Sequence, residues 1–544
     1  MRTLRTAAVL LLLAAPLLAV EPLTVVETTE YARTSLYREV VDFVQAIQAR
    51  SELVAVTTLT TSPEGRMVPL VILSKDHVRS PYDLRRAGKP AVLVMANIHA
   101  GEVEGKEACQ MLIRDVALGD LGTLLDRQVI LVIPIFNADG NEKLGKNRRD
   151  KGPELAGERA NGQGLDLNRD FLKLDSPEVR GLVALWNEWD PLLFVDMHTT
   201  NGSYHREPVT YCTGSNPNNA PEIDDYMWKK LFPEVAATLK ARFGYDSVPY
   251  GNFADREHPE KGWESDTVEG RYGNNYFALR NRFSILDENY SYADFRTRVL
   301  GSYAFVRAIL AFTAEHLGEM AALAARVDRD AASSFRERPF ATASRLESLF
   351  DVTIKGFEHV KVPIPPEDKA KYPPWVGDFL IKPTETPRDY TAPYLARAVP
   401  TTTVPLPLGY VVPPANDDVV DTLRAHGIRV ERLLAPARMT VERFAIAKLE
   451  LAKGLYQGRV AVTLTGQYTS EEQELPVGSH FVDLRQPLAR LIPVLLEPTS
   501  VDSLAAWGFF NRVLARQWSS EPGTYPVLRV ASRPPAPLLL RETY

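Results

Sequence analysis

The 544-residue chain predicts an α/β fold followed by a β-rich or α+β C-terminal unit, and three observations carry that expectation. Continuous apolar runs of strand length alternate with amphipathic helical stretches as far as Leu323, the pattern of a sheet buried on both faces. Polar residues with chemical capability stand just past the ends of several runs, where an open α/β sheet binds its ligands. Of the 40 Pro, 13 lie between Pro363 and Pro414, a density that neither helix nor central strand tolerates.

In chain order, Arg2 and Arg5 precede the apolar run Ala7 to Val20. That run is shorter than the roughly 20 residues a bilayer span needs. With the small Ala19 ahead of Glu21, residues 1–20 read as a signal peptide. The mature chain is then exported, periplasmic or secreted, with no stable membrane span. Tyr37 to Gln48 carries Val40, Val41, Phe43, Val44 and Ile47 on a helical stripe. Strand-like runs follow at Val54–Thr58, Val68–Leu73, Ala91–Ala96, Val129–Ile135, Leu192–Met197 and Phe283–Leu286. Helical patterns lie at Lys106–Ala117, Pro177–Glu188, Tyr226–Phe243 and Tyr292–Leu323. Residues 21–325 read as the catalytic domain, 326–415 as a Pro-rich extended linker, and 416–544 as an accessory domain. The last opens on a strand–helix–strand pattern from Leu408 to Leu434 and ends near a helix around Ser503 to Arg516.

Composition narrows the chemistry. Lys+Arg 63 against Asp+Glu 69 leaves a net charge of −6, with no basic excess to suit a nucleic-acid partner. Two Cys exclude a cysteine metal framework, so a metal site must draw on the 9 His and on carboxylates. In an oxidising compartment Cys109 and Cys212 either pair or stay as buried thiols, and both readings stand.

Four motifs carry chemistry, and three of them fall at strand ends. After Ala96 come His99 and Glu102, close enough to reach one cation from one turn. The next such strand delivers His198 in Asp196-Met197-His198-Thr199-Thr200. Two imidazoles and one carboxylate leave a fourth zinc position open, as catalytic sites do. Asp166-Leu167-Asn168-Arg169 offers a planar guanidinium fork for a carboxylate. Phe283-Ser284-Ile285-Leu286-Asp287-Glu288 ends an apolar strand in acid, and a carboxylate beside an activated water can act as general base.

In this order the motifs resemble the zinc metallocarboxypeptidase family, the carboxypeptidase A-like enzymes, over about residues 30 to 320. The resemblance implies a mixed, largely parallel central sheet with helices on both faces, one zinc ion, and hydrolysis of a C-terminal amide bond. His99, Glu102 and His198 match the family's zinc ligands, and Asp166 the acid that orients the first His. Asn168 and Arg169 match the pair that grips the substrate carboxylate. Arg159 matches the arginine that polarises the scissile carbonyl in one branch, with Arg148 and Arg149 as alternatives. Glu288 matches the general base; alternation along a strand lets only one of Asp287 and Glu288 face the metal. Ser62-Pro63-Glu64-Gly65-Arg66 is similar to the family's S-x-E-G-R segment. Tyr272, Tyr276 and Tyr290 are candidates for a capping tyrosine, although a core role suits each. Leu496-Glu497-Pro498 through Phe510 looks like the tail of an exported bacterial subgroup. The implied partner is a peptide or peptide-like molecule with a free carboxylate. N-acyl amino acids and peptidoglycan stem peptides are alternatives on the same scaffold, and a non-catalytic binding protein is a third.

Overall fold

A computed structural model describes residues 21–149, 151–372, 376–514 and 523–541, so the expected signal peptide lies outside the described residues. Eight strands form the central sheet: β1 Val54–Thr61, β2 Met67–Leu73, β3 Ala91–Ala96, β4 Val129–Ile133, β5 Leu193–Thr200, β6 Val209–Cys212, β7 Ser247–Pro249 and β8 Phe283–Tyr290. Their order is β1-β2-β4-β3-β5-β8-β6-β7. The central strands β4, β3, β5 and β8 run parallel, whereas β2 is antiparallel to both its neighbours and β6 to β8. The sheet is mixed with a parallel centre, as expected.

Alternation assigns each strand residue to a face. Val92 and Val94 of β3 join one core with α1 (Tyr37–Gln48), α2 (Glu104–Ala117), the helix 221–243 and α3 (Phe295–Ser334). Leu93 and Met95 point the other way, into a core shared with the helices Pro177–Trp189 and Gly273–Leu279. Local signals start these helices. Ser176 caps the first turn of Pro177–Trp189 by accepting from the Val179 amide, and Asp294 caps α3 by accepting from the Thr297 amide at 2.9 Å. By length and composition α3 could cross a membrane. It lies instead along the sheet and buries Phe305, Ile309, Leu310 and even Arg298.

Three features depart from the sequence reading. α3 continues to Ser334, so the boundary expected at 325 falls inside a helix. The segment expected as a linker, 326–415, forms two long antiparallel strands, β9 Phe340–Pro363 and β10 Phe379–Val404. Pro383, Pro387, Pro393 and Pro400 all pair within β10. They are tolerated because, among the described residues, the far side of β10 is bonded only at Tyr394 and Leu395, so a missing N–H costs no ladder bond elsewhere. The third departure concerns residues 416–544. The strand–helix–strand pattern is present as β11 Gly409–Val412, α4 Asp417–Ala425 and β12 Glu431–Leu433. These join a seven-stranded sheet that also contains β13 Ala437–Tyr456, β14 Arg459–Leu475 and His480–Asp483. A small cluster around Val411, Leu433, Phe481 and Val530 belongs to this sheet alone. Yet Tyr410, Val419, Leu423 and Leu496 lie in one core with Trp186 and Phe194. The C-terminal unit therefore shares its main core with the catalytic region instead of standing apart from it.

His426 pins this junction. Its Nδ1 accepts from the Tyr276 hydroxyl at 2.8 Å, its Nε2 lies 3.1 Å from the Leu172 carbonyl, and its own carbonyl accepts from Arg280. Burial pushes the imidazole pKa down to about 3. The unfolded chain takes up a proton near pH 6.5, and the folded chain does not. This stability is full above about pH 6.5 and is lost as pH falls toward 3, by on the order of a few kcal/mol. A His426→Gln chain should be weaker at neutral pH but lose less across that window. Urea unfolding at about pH 7 and about pH 4.5 measures the difference.

Candidate metal centre and active site

The candidate metal-binding loop is built by a turn after β3. Asn97 takes a left-handed conformation (φ 66°), and its Nδ2 donates to the Ala100 and Glu102 carbonyls at 3.4 and 3.3 Å. The Glu102 amide donates back to the His99 carbonyl. α2 then starts hard against β5. A Cβ on Gly105 would come within 2.6 Å of the Met197 Cβ, so a glycine is needed there. β5 lies parallel to β3 and brings His198 to the same end of the sheet.

His99, Glu102 and His198 are buried, and their candidate ligand atoms lie within 4.8 Å of one another. The Glu102 Oε2 is 2.9 Å from His198 Nδ1 and 3.2 Å from His99 Nδ1. His99 Nδ1 has no hydrogen-bond partner among the described residues, although it is buried. A cation held by these three groups would satisfy it. The donor set, two nitrogens and one carboxylate, fits zinc with a position left open. Burial raises the Glu102 carboxyl, but the charges and hydrogen bonds of the two imidazoles outweigh it and hold it well below the usual range.

Each imidazole is backed by a carboxylate. His99 Nε2 is 3.0 Å from Asp166 Oδ1, and His198 Nε2 is 3.0 Å from Asp196 Oδ2. Asp166 also accepts from Arg159 Nε at 2.7 Å. Burial alone would raise the Asp166 carboxyl; His99, Arg159 and Arg169 together hold it well below its ordinary value. Glu104, fully buried, accepts from the Thr199 hydroxyl and from Arg298 Nε of α3 at 2.7 Å, bracing the loop against β5 from behind.

Arginines crowd the open side. Arg159 Nη1 and Arg149 Nη2 stand 3.6 and 3.4 Å from Glu102 Oε1. Arg149 is further fixed by donating to the Gly101 and Thr199 carbonyls. Arg148 is exposed at the rim. Asn168 Oδ1 accepts from the Gly273 amide at 2.8 Å, and the Arg169 guanidinium lies 4.0 Å over the Tyr272 ring.

β8 completes the wall. Glu288 pairs in register with His198, and paired residues of parallel strands share a face. Its Oε2 has no partner among the described residues. Burial, together with Glu102, Asp266 and Asp287, pushes its carboxyl well up against the opposing charge of His198. Asp287 points away, accepting from Ser302 Oγ of α3 at 2.9 Å, and burial raises it to about 7. All of the sequence-predicted site residues except Asp166 border one cavity of about 720 Å³. Asp166 stands behind His99.

Of the three tyrosine candidates only Tyr272 borders the cavity. Tyr276 is engaged with His426, and Tyr290 stacks on His205 at 3.9 Å. His205 is thus a core residue. Cys109 and Cys212 are free and buried. Sequence reasoning missed Asp196, Tyr250 and Asp266. The D-x-H spacing on a strand could have found Asp196, since residues two apart share a face. Tyr250 and Asp266 come from loops with no periodic signal.

A buried cluster of two histidines and one glutamate at the ends of parallel strands, with a second free carboxylate in the same cavity, defines a metallohydrolase. Residues 40–252 match the sequence model of the zinc carboxypeptidase family (peptidase family M14). Glu288 lies beyond the matched segment. Carboxypeptidase 2 of Trichophyton tonsurans is 24% identical over 495 residues, covering 86% of this chain and 81% of that protein. Carboxypeptidase Z of Mus musculus is 28% identical over 211 residues, 38% of this chain and 27% of that protein. A solved metallo-carboxypeptidase from Pseudomonas aeruginosa is 18% identical with a TM-score of 0.39, covering 53% of this chain and 70% of that one.

Proposed function

We propose that the protein removes C-terminal residues from peptides with a free terminal carboxylate, using one zinc ion held by His99, Glu102 and His198. The observation that carries this reading is the meeting of that triad, the Asn168–Arg169 pair and the unpartnered Glu288 in one cavity. Zinc bound there would supply Lewis-acid polarisation of a water and of the scissile carbonyl.

The chain's own residues do the rest. Arg169, braced on Tyr272, and Asn168 receive the terminal carboxylate and set which bond lies over the triad. Glu288 takes the proton of the attacking water at its free Oε2 and passes it to the leaving amine. Its raised pKa suits both halves of that transfer. Arg159 donates toward the developing oxyanion, a contribution of typically a few kcal/mol. Asp166 and Asp196 fix the imidazole rings. The leader at 1–20 supports export of the mature enzyme.

A peptide library with free and amidated C-termini, read by mass spectrometry with and without chelator, tests the reading. Single-residue trimming of free termini only, abolished by chelator, is expected. Equal cleavage of amidated peptides would overturn it. Arg169→Ala should lower kcat/KM for free termini by roughly 10- to 100-fold, the loss of one charged hydrogen bond, and should narrow the gap to amidated peptides.

A further inference from the structure

β13 and β14 form a long hairpin in the C-terminal sheet, and its turn reaches the catalytic region. Tyr456 pairs with Arg459 across the two-residue loop Gln457-Gly458, with φ of 51° and 75°. Positive φ at both positions is the type I′ geometry that suits the twist of a hairpin. The turn is anchored on either side. Arg459 makes a two-pronged ion pair with Asp175 at 2.6 and 2.7 Å, and Tyr456 stacks on Trp507. Between these anchors, Gln457 Oε1 accepts from the backbone N–H of Asp166 at 2.8 Å.

The Asp166 side chain is fully engaged inward. Its Oδ1 meets His99 Nε2 and the Asn168 amide, and its Oδ2 meets Arg159. Asn161 pins the backbone just upstream by accepting from the Gln163 and Leu165 amides. The next amide, that of Asp166, is held among the described residues only from the distant hairpin. We infer that Gln457 is a positioning residue: it fixes the Asp166 backbone, hence the carboxylate behind His99, so the C-terminal sheet completes the metal site. This deepens the peptidase reading and rests on the same triad.

The test compares full-length Gln457→Met, which keeps the shape without an acceptor, with Gln457→Glu, which keeps an acceptor oxygen. Zinc affinity is measured by chelator competition, kcat and KM on a free-terminus peptide, and Tm on the metal-free chains. Loss of partners behind a metal ligand costs about 10- to 100-fold. For Gln457→Met, one step further out, zinc affinity and kcat should each fall about 10-fold, the low end of that range. KM and metal-free Tm should stay close to wild type, and Gln457→Glu should recover most of the zinc affinity. Wild-type zinc affinity in Gln457→Met, or a loss that Gln457→Glu shares in full, would overturn the inference. A wild-type chain that holds zinc but leaves peptides intact would defeat the peptidase reading alone, and the zinc measurement would still decide the role of Gln457.

Discussion

Glu288→Gln should lower kcat by about 10²- to 10⁴-fold, the range for a lost general base, with the metal content unchanged. The amide has the shape of the carboxylate and stays in register with His198, but it cannot take a proton. Because Glu288 is not among the triad atoms that approach one another, its replacement does not open the metal cluster. Asp287→Asn is the matched control. Asp287 points toward Ser302 and α3, so its variant should keep near wild-type kcat/KM. Steady-state kinetics and elemental analysis on both variants decide the matter; near-native activity in Glu288→Gln would remove it from the base role.

His198→Ala has the other large effect, on the metal itself. Of the three candidate ligands, His198 is the one delivered by β5, whereas His99 and Glu102 share a turn. Its loss leaves two donors and should weaken zinc by more than the roughly 10- to 100-fold cost of an outer partner. The consequence is visible without substrate. At zinc about 1,000-fold above its Kd, the wild-type fold gains about 4 kcal/mol from binding. In the variant, a loss of more than about 100-fold leaves less than about 1.4 kcal/mol, so the zinc-dependent rise in Tm should fall to about a third or less. Asp196→Ala, which removes only the carboxylate behind His198, should keep a reduced rise. Equal zinc-dependent shifts in wild type and His198→Ala would exclude His198 as a ligand.

Much of the catalytic region was legible because its signals are local. β3 spans the predicted Ala91–Ala96, and α1 the predicted Tyr37–Gln48. The clustering of His99, Glu102 and His198 was legible for the same reason, since two of them follow β3 and the third lies near the end of β5. What escaped the sequence depends on distant partners. Amphipathic patterns at Val419 and Leu423 show that these residues are buried but not that Trp186 lies in the same core. The proline count between Pro363 and Pro414 pointed to a linker because it measures lost N–H donors, and an outer ladder that needs few donors absorbs that loss. Gln457 carries no motif at all, and only the length and register of its hairpin bring it to Asp166.

That ribbon of β9 and β10 has a consequence for solubility. An extended pair of strands this long would ordinarily be a template on which another chain could add a strand. Prolines along β10 remove the donors such an addition needs, and register shifts at five places in β9 break the flat edge. Exposed Arg345, Asp351 and Lys361 and half-buried Glu347 put charge along the remaining side. The prolines that made this segment hard to read from sequence are thus the same ones that strip donors from its outer edge.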